Sequence, residues 1–106
     1  MSNVNVSESE NGRQTTITIT ISGRFDFSVH KEFRDAYINH TGRGLSFILD
    51  LSRTEYMDSS ALGMVLLLRD HAGGDNSHIT IRNASADVAK ILRIANFDKL
   101  LKMSAA

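Results

Sequence analysis

The sequence contains no cysteine, so disulfide staples and thiolate metal sites are excluded. The absence fits a reducing compartment without requiring one. It carries no excess of either charge. Twelve Lys and Arg offset 12 Asp and Glu, and no basic cluster stands out, which leaves no nucleic-acid footprint. Long apolar runs are also missing. The longest, Met64 to Leu68, falls far short of a bilayer, so no membrane association is expected. Met1 to Glu10 is polar and lacks the apolar core of an export signal. With no repeat, linker or low-complexity tract, the 106 residues fit one domain, 1–106, of a soluble cytoplasmic protein. A core of that size buries roughly 60–70% of the unfolded surface.

Enzyme signatures are lacking too. No G-x-S-x-G, phosphate-binding loop or dinucleotide fingerprint is present. Gly42-Arg43-Gly44 precedes a strand and lacks a third Gly, so it reads as a loop. His30, His40, His71 and His78 share no metal-ligand spacing. No cofactor and no metal are expected. Asp26, Asp50 and Asp58 sit where strands end, but nothing in their spacing requires acid–base chemistry.

What is present is a clear alternation of strands and helices. Val4 and Val6 alternate with polar residues, and Asn11-Gly12 is a strong hairpin turn signal because both residues tolerate positive φ. Thr16 to Ile21 is β-branched throughout and alternates without a break, which predicts a half-buried strand with Ile17, Ile19 and Ile21 inward. Gly23 ends that strand. Ser28 then caps a helix from about Val29 to His40, with Val29, Phe33, Ala36 and Tyr37 as its buried stripe. Leu45 to Leu51 is apolar on both faces, as for a central strand covered on two sides. A second helix runs to about His71, and Gly73 to Asn76 is a turn. His78 to Arg82 is another strand. Ser85 or Asp87 caps a third helix through Ile94, striped by Val88, Ile91, Leu92 and Ala95. Phe97 to Met103 suggests a short last strand. The predicted class is α/β, in the order β-β-α-β-α-β-α-β, with a mixed sheet and helices packed on it.

The segment Tyr56-Met57-Asp58-Ser59-Ser60-Ala61-Leu62-Gly63-Met64 is the richest in chemistry. It places an Asp and two Ser at the start of an apolar helix. One reading is a simple N-cap by Asp58 or Ser59, worth about 1 kcal/mol. The other is a phosphate-accepting end, since free N–H groups and the helix dipole favour anions there. A helical wheel puts Leu62, Val65 and Leu66 toward the core. Ser60, Gly63, Met64, Leu67 and His71 then share another side, with Met64 and Leu67 partly exposed. Small and adaptable apolar residues beside a modifiable hydroxyl suit a docking surface. Burial of the helix on most sides is the plainer alternative.

The strand Phe47-Ile48-Leu49-Asp50-Leu51 followed by Met57-Asp58-Ser59-Ser60-Ala61-Leu62-Gly63 resembles the signature of STAS domains, specifically bacterial anti-sigma factor antagonists. Ser22-Gly23-Arg24-Phe25-Asp26 is similar to that family's turn after the second strand. Ser85 to Leu92, with Phe97 beyond, is similar to its third helix and the segment after it. The resemblance implies a STAS-like domain and a partner switch. The unmodified protein binds an anti-sigma factor that is a serine kinase, which phosphorylates Ser59, and a metal-dependent Ser/Thr phosphatase reverses the step. It also implies that Asp26 and Asp58 lie near Ser59 and shape the contact. Ala61 departs from the family's usual Gly, a change that slightly favours helix. The sequence stops at Ala106, where many relatives carry a further helix, so part of the sheet is expected to be less covered by Met103-Ser104-Ala105-Ala106.

Three functions follow as expectations. The first is a phosphorylation-controlled binding module without catalysis of its own, using Asp26, Asp58, Ser60, Gly63, Met64 and Leu67 toward its partner. The second is a constitutive adaptor subunit of a transport or lipid-trafficking complex, with Ser59 only a cap. The third is a small hydrolase with Ser59 or Ser60 as nucleophile, for which no base is evident.

Overall fold

The computed structural model describes residues 2–42 and 44–104. Arg43 of the expected loop, and Ala105 and Ala106 of the expected tail, lie outside the described residues. Strands β1 (Asn3–Asn11) and β2 (Gln14–Phe25) form an antiparallel hairpin. Helix α1 (His30–Tyr37) follows a 3-10 turn, Phe27–Val29. Then come β3 (Leu45–Asp50), β4 (Thr54–Met57), α2 (Ser59–His71), β5 (Ile79–Arg82), α3 (Ala86–Ile94) and β6 (Lys102–Ser104). The sheet order is β1-β2-β3-β5-β6, parallel beyond the hairpin, with β4 beside the far end of β2. The class is α/β with a mixed sheet, and β4 is an added strand between β3 and α2.

Ile17, Ile19 and Ile21 are fully buried, and so are Leu49 and Ile81 in the neighbouring strands. The alternation that makes β2 legible thus also builds the floor of the core. The helices cover this one face. Phe25 and Phe33 rings meet at 5.2 Å, and Phe33 and Tyr37 at 5.6 Å, which seats α1. The opposite face is open and polar. The parallel register sets Thr18, Ile48 and Thr80 side by side, and likewise Thr20, Asp50 and Arg82. The expectation that β3 is covered on two sides is therefore corrected: only Ile48 is apolar on its second face, too little to hold a second layer.

Other boundaries shift for local reasons. The hairpin pairs Asn11 with Gln14, so Gly12 and Arg13 are the central turn residues, one position later than expected. Only Gly12 takes positive φ (67°), as a turn with Gly first requires. Gly23 does not end β2. It sits at φ 82° beside a register shift, after which the strand continues to Phe25 alongside β4. Helix α1 stops at Tyr37 rather than His40, and Asp26, not Ser28, caps the turn leading into it. Ser85 does cap α3, accepting from the Val88 amide at 3.2 Å. No described helix is long and apolar enough to cross a membrane.

Strand β4 is anchored by one buried polar side chain. Thr54, 4% exposed, donates its hydroxyl to the Ile21 carbonyl at 2.8 Å. Thr54→Val keeps the shape and removes the donor. It is expected to lower unfolding free energy by about 1–2 kcal/mol in urea denaturation; a midpoint equal to wild type would contradict this anchoring.

Candidate functional site

The site is assembled by a pair of parallel strand ends. Phe25 of β2 is paired with Met57 of β4, and both side chains are buried. The next residue in each chain, Asp26 and Asp58, therefore leaves the sheet at the same edge. Each turns at once into a helical segment with extended backbone angles, as an N-cap does. Asp26 Oδ1 accepts from the Ser28 amide at 3.0 Å and from the Ser28 hydroxyl. Asp58 Oδ1 accepts from the Ala61 amide at 3.1 Å and from the Ser60 hydroxyl at 2.6 Å.

These bonds hold both carboxylates below their ordinary range. For Asp58 the Ser60 hydroxyl is the main cause, helped by the Ala61 amide, against partial desolvation and the charge of Asp26. For Asp26 the Ser28 hydroxyl and amide lead, followed by Arg24, whose Nε donates to Oδ2 at 3.2 Å. Two ionised carboxylates thus face solvent side by side, the repulsion between them outweighed by local donors.

The two serines are not equivalent. Ser60 spends its hydroxyl on Asp58 and is half-buried. Ser59, the first residue of α2, is exposed, and its hydroxyl makes no hydrogen bond to another described residue. Gly63 is exposed one turn along, and a Cβ built there meets nothing within 4 Å. The protein's own packing therefore does not require glycine there, although glycine costs a helix interior about 1 kcal/mol relative to alanine. Leu67 is 54% exposed on the same helix. Met64, expected to be partly exposed, is only 4% exposed, and Leu66, expected in the core, is 39% exposed. The buried set is Ala61, Met64, Val65 and Leu68. Leucines on nearly every side of α2 left its phase undetermined by pattern alone.

Sequence reasoning missed two aromatic side chains at this edge. Tyr56 lies under the Arg24 guanidinium, 4.4 Å from ring centroid to Cζ, because the two are paired across β2 and β4. Phe27, next to Asp26, is 66% exposed and stacks on His30 at 4.7 Å. Tyr56 depended on recognising β4. Phe27 was signalled only by its alternation with the buried Phe25. Asp50 does not join the pair. It lies on the open sheet face, where burial raises its pKa but the Ser52 amide and hydroxyl and Arg82 lower it further. Among the described residues no three His, Cys, Asp or Glu side chains gather as a metal site.

The surroundings of Asp58 match a known family. Residues 8–102 fit the model described as Mlab, STAS domain. The chain belongs to the STAS domain family. A STAS-domain containing protein of Pseudomonas aeruginosa (strain UCBPP-PA14) is 53% identical over 88 residues, covering 83% of this chain and 87% of that protein. Among solved structures, the anti-sigma factor antagonist SpoIIAA in its unphosphorylated form superposes with a TM-score of 0.70 at 20% identity, covering 93% of this chain and 87% of that one. An anti-sigma factor antagonist from Mycobacterium paratuberculosis gives a TM-score of 0.73 at 12% identity, covering 98% and 87%. At such identities these two likenesses establish the shared fold.

The lowered carboxylates make stability depend on acid. The unfolded chain takes up their protons first as pH falls, so their stabilisation is complete above about pH 4 and is lost as pH drops through the lowered folded values. Melting temperature is expected to fall below about pH 4, and to fall less steeply in Asp58→Asn, which keeps a capping oxygen but does not titrate. Identical pH profiles for the two proteins would contradict it. In the same assay Gly63→Ala is expected to be more stable by about 0.5–1 kcal/mol.

Proposed function

We propose that the chain is a partner-switching anti-sigma factor antagonist. In this reading the unmodified protein binds an anti-sigma factor serine kinase in the cytoplasm. Phosphorylation at Ser59 releases it, and a metal-dependent Ser/Thr phosphatase restores it. The chain itself performs no catalysis. The observation that carries this reading is the contrast between the two hydroxyls: Ser59 exposed and without a hydrogen bond to another described residue, Ser60 tied to Asp58. Membership of the STAS family and a fold shared with antagonists, one of them solved in its unphosphorylated form, add support.

Charge explains why such a switch acts on binding rather than folding. A phosphoserine adds about −1.5 to −2 charges at neutral pH. At its own helix N-terminus that is favourable by about 0.3–1 kcal/mol. The neighbouring Asp58 and Asp26 oppose it and keep the phosphate turned outward. At an interface, desolvation and repulsion cost several kcal/mol, and about 4 kcal/mol is roughly a thousandfold in affinity. The exposed Gly63 and Leu67 give the partner a low apolar step beside the hydroxyl, with Asp26, Asp58 and Ser60 shaping its edge. The buried Met64 supports that step from beneath.

Pull-down with unmodified, Ser59→Ala and Ser59→Glu protein, read by mass spectrometry, tests the proposal. The first two are expected to retain a histidine-kinase-like ATPase, and Ser59→Glu to lose it by at least about tenfold. Incubation with that kinase is expected to add one phosphoryl group, at Ser59 only. Phosphate on Ser60, or equal retention by all three proteins, would reject the switch; the latter is the behaviour of a constitutive adaptor.

A further inference from the structure

Between α1 and α2 lies a slot of about 340 Å³, within the range of small-molecule sites. Its floor is Phe33, Tyr37 and Met64, each no more than 4% exposed, and Leu67 forms one wall. Polar groups gather at its rim. Arg34 lines it, is exposed, and forms no ion pair with a described residue, in contrast to its helix neighbour Lys31, which is held by Asp35 at 2.8 Å. His30 and His71 also line it. His71 is held in place by donating Nε2–H to the His40 carbonyl at 2.7 Å. Among the described residues no carboxylate lines the slot.

Tyr37 offers the slot a polar group. Its side chain is almost fully buried and lines the slot, while its hydroxyl, without a hydrogen bond to another described residue, is not sealed off from solvent. Burial pushes the phenol above its usual range, and the nearby Arg34 charge pulls the other way. A phenol placed this way takes its acceptor from whatever fills the slot, water or a ligand. An acceptor that also carries negative charge satisfies Tyr37 and Arg34 together, since a guanidinium pairs with a carboxylate through two parallel bonds.

We propose that this slot binds a small amphipathic carboxylate, its apolar body of roughly ten carbon atoms on Phe33 and Met64 and its carboxylate between Tyr37 and Arg34. The slot shares Met64 and Leu67 with the surface proposed for the kinase partner, but binding in it does not require Ser59 or its phosphorylation.

Methyl-detected NMR of the full chain, with Met64 and Leu67 as reporters, tests the assignment. The probes are sodium decanoate, below its micelle concentration, and decyltrimethylammonium, which has the same tail with opposite charge. Decanoate is expected to give saturable shifts at both residues, and the cation to bind at least about tenfold more weakly. Arg34→Gln alters an exposed side chain, so folding is retained, and it is expected to weaken decanoate about tenfold. Leu67→Trp, which fills the wall, is expected to abolish the shift at Met64. Absence of saturable shifts, equal binding of the two probes, or undiminished decanoate binding by Arg34→Gln overturns the proposal.

Discussion

The pairing of Phe25 with Met57 at the far edge of the sheet is the contact on which the rest depends. It is short, only the last residues of β2 against β4, and it exists because β2 bulges at Gly23 and continues past the strands it first pairs with. Burying those two side chains delivers Asp26 and Asp58 to solvent at neighbouring points. Each aspartate then does what an aspartate before a helical turn does, accepting the orphan donors. Two caps that would be ordinary apart become a patch of negative charge when set side by side.

That patch divides the labour between adjacent serines. Ser60 feeds its hydroxyl into the cap and helps keep Asp58 ionised. Ser59, one residue earlier, is exposed, and its hydroxyl makes no hydrogen bond to another described residue. The hydroxyl proposed for modification is therefore one that the cap of α2 does not use. The surrounding surface is suited to contact: Tyr56 under Arg24, the exposed Phe27, and a helix face lowered at Gly63.

Much of this was legible in the sequence. Ile17, Ile19 and Ile21 alternate with threonines so regularly that strand and inward face were both evident, and the Val29, Phe33, Ala36 and Tyr37 stripe is buried as its spacing implies. What escaped had physical reasons. Strand β4 is four residues long and its inward positions are its two ends, Thr54 and Met57, which breaks the period of two. Helix α2 carries leucine at 62, 66, 67 and 68, so no single stripe stands out, and its phase was placed wrongly for Met64 and Leu66. The second face of β3 looked apolar because strand neighbours come from distant sequence, and only the register shows Ile48 flanked by Thr18 and Thr80. The residues of the motif were found without these details; of its helix neighbours, Leu67 was read correctly as reaching solvent and Met64 was not.

The proposed switch requires charge to be added at the tip of α2 without disturbing what lies beneath. The most direct measurement is an amide correlation NMR spectrum of the protein phosphorylated at Ser59, compared with the unmodified protein and paired with melting curves. The predicted result is that shifts stay within Asp26 to Ser28 and Tyr56 to Gly63, with a melting temperature changed by no more than about 5 °C. Shifts spreading into β3 and β5, or a melting temperature lowered by about 10 °C or more, would contradict it.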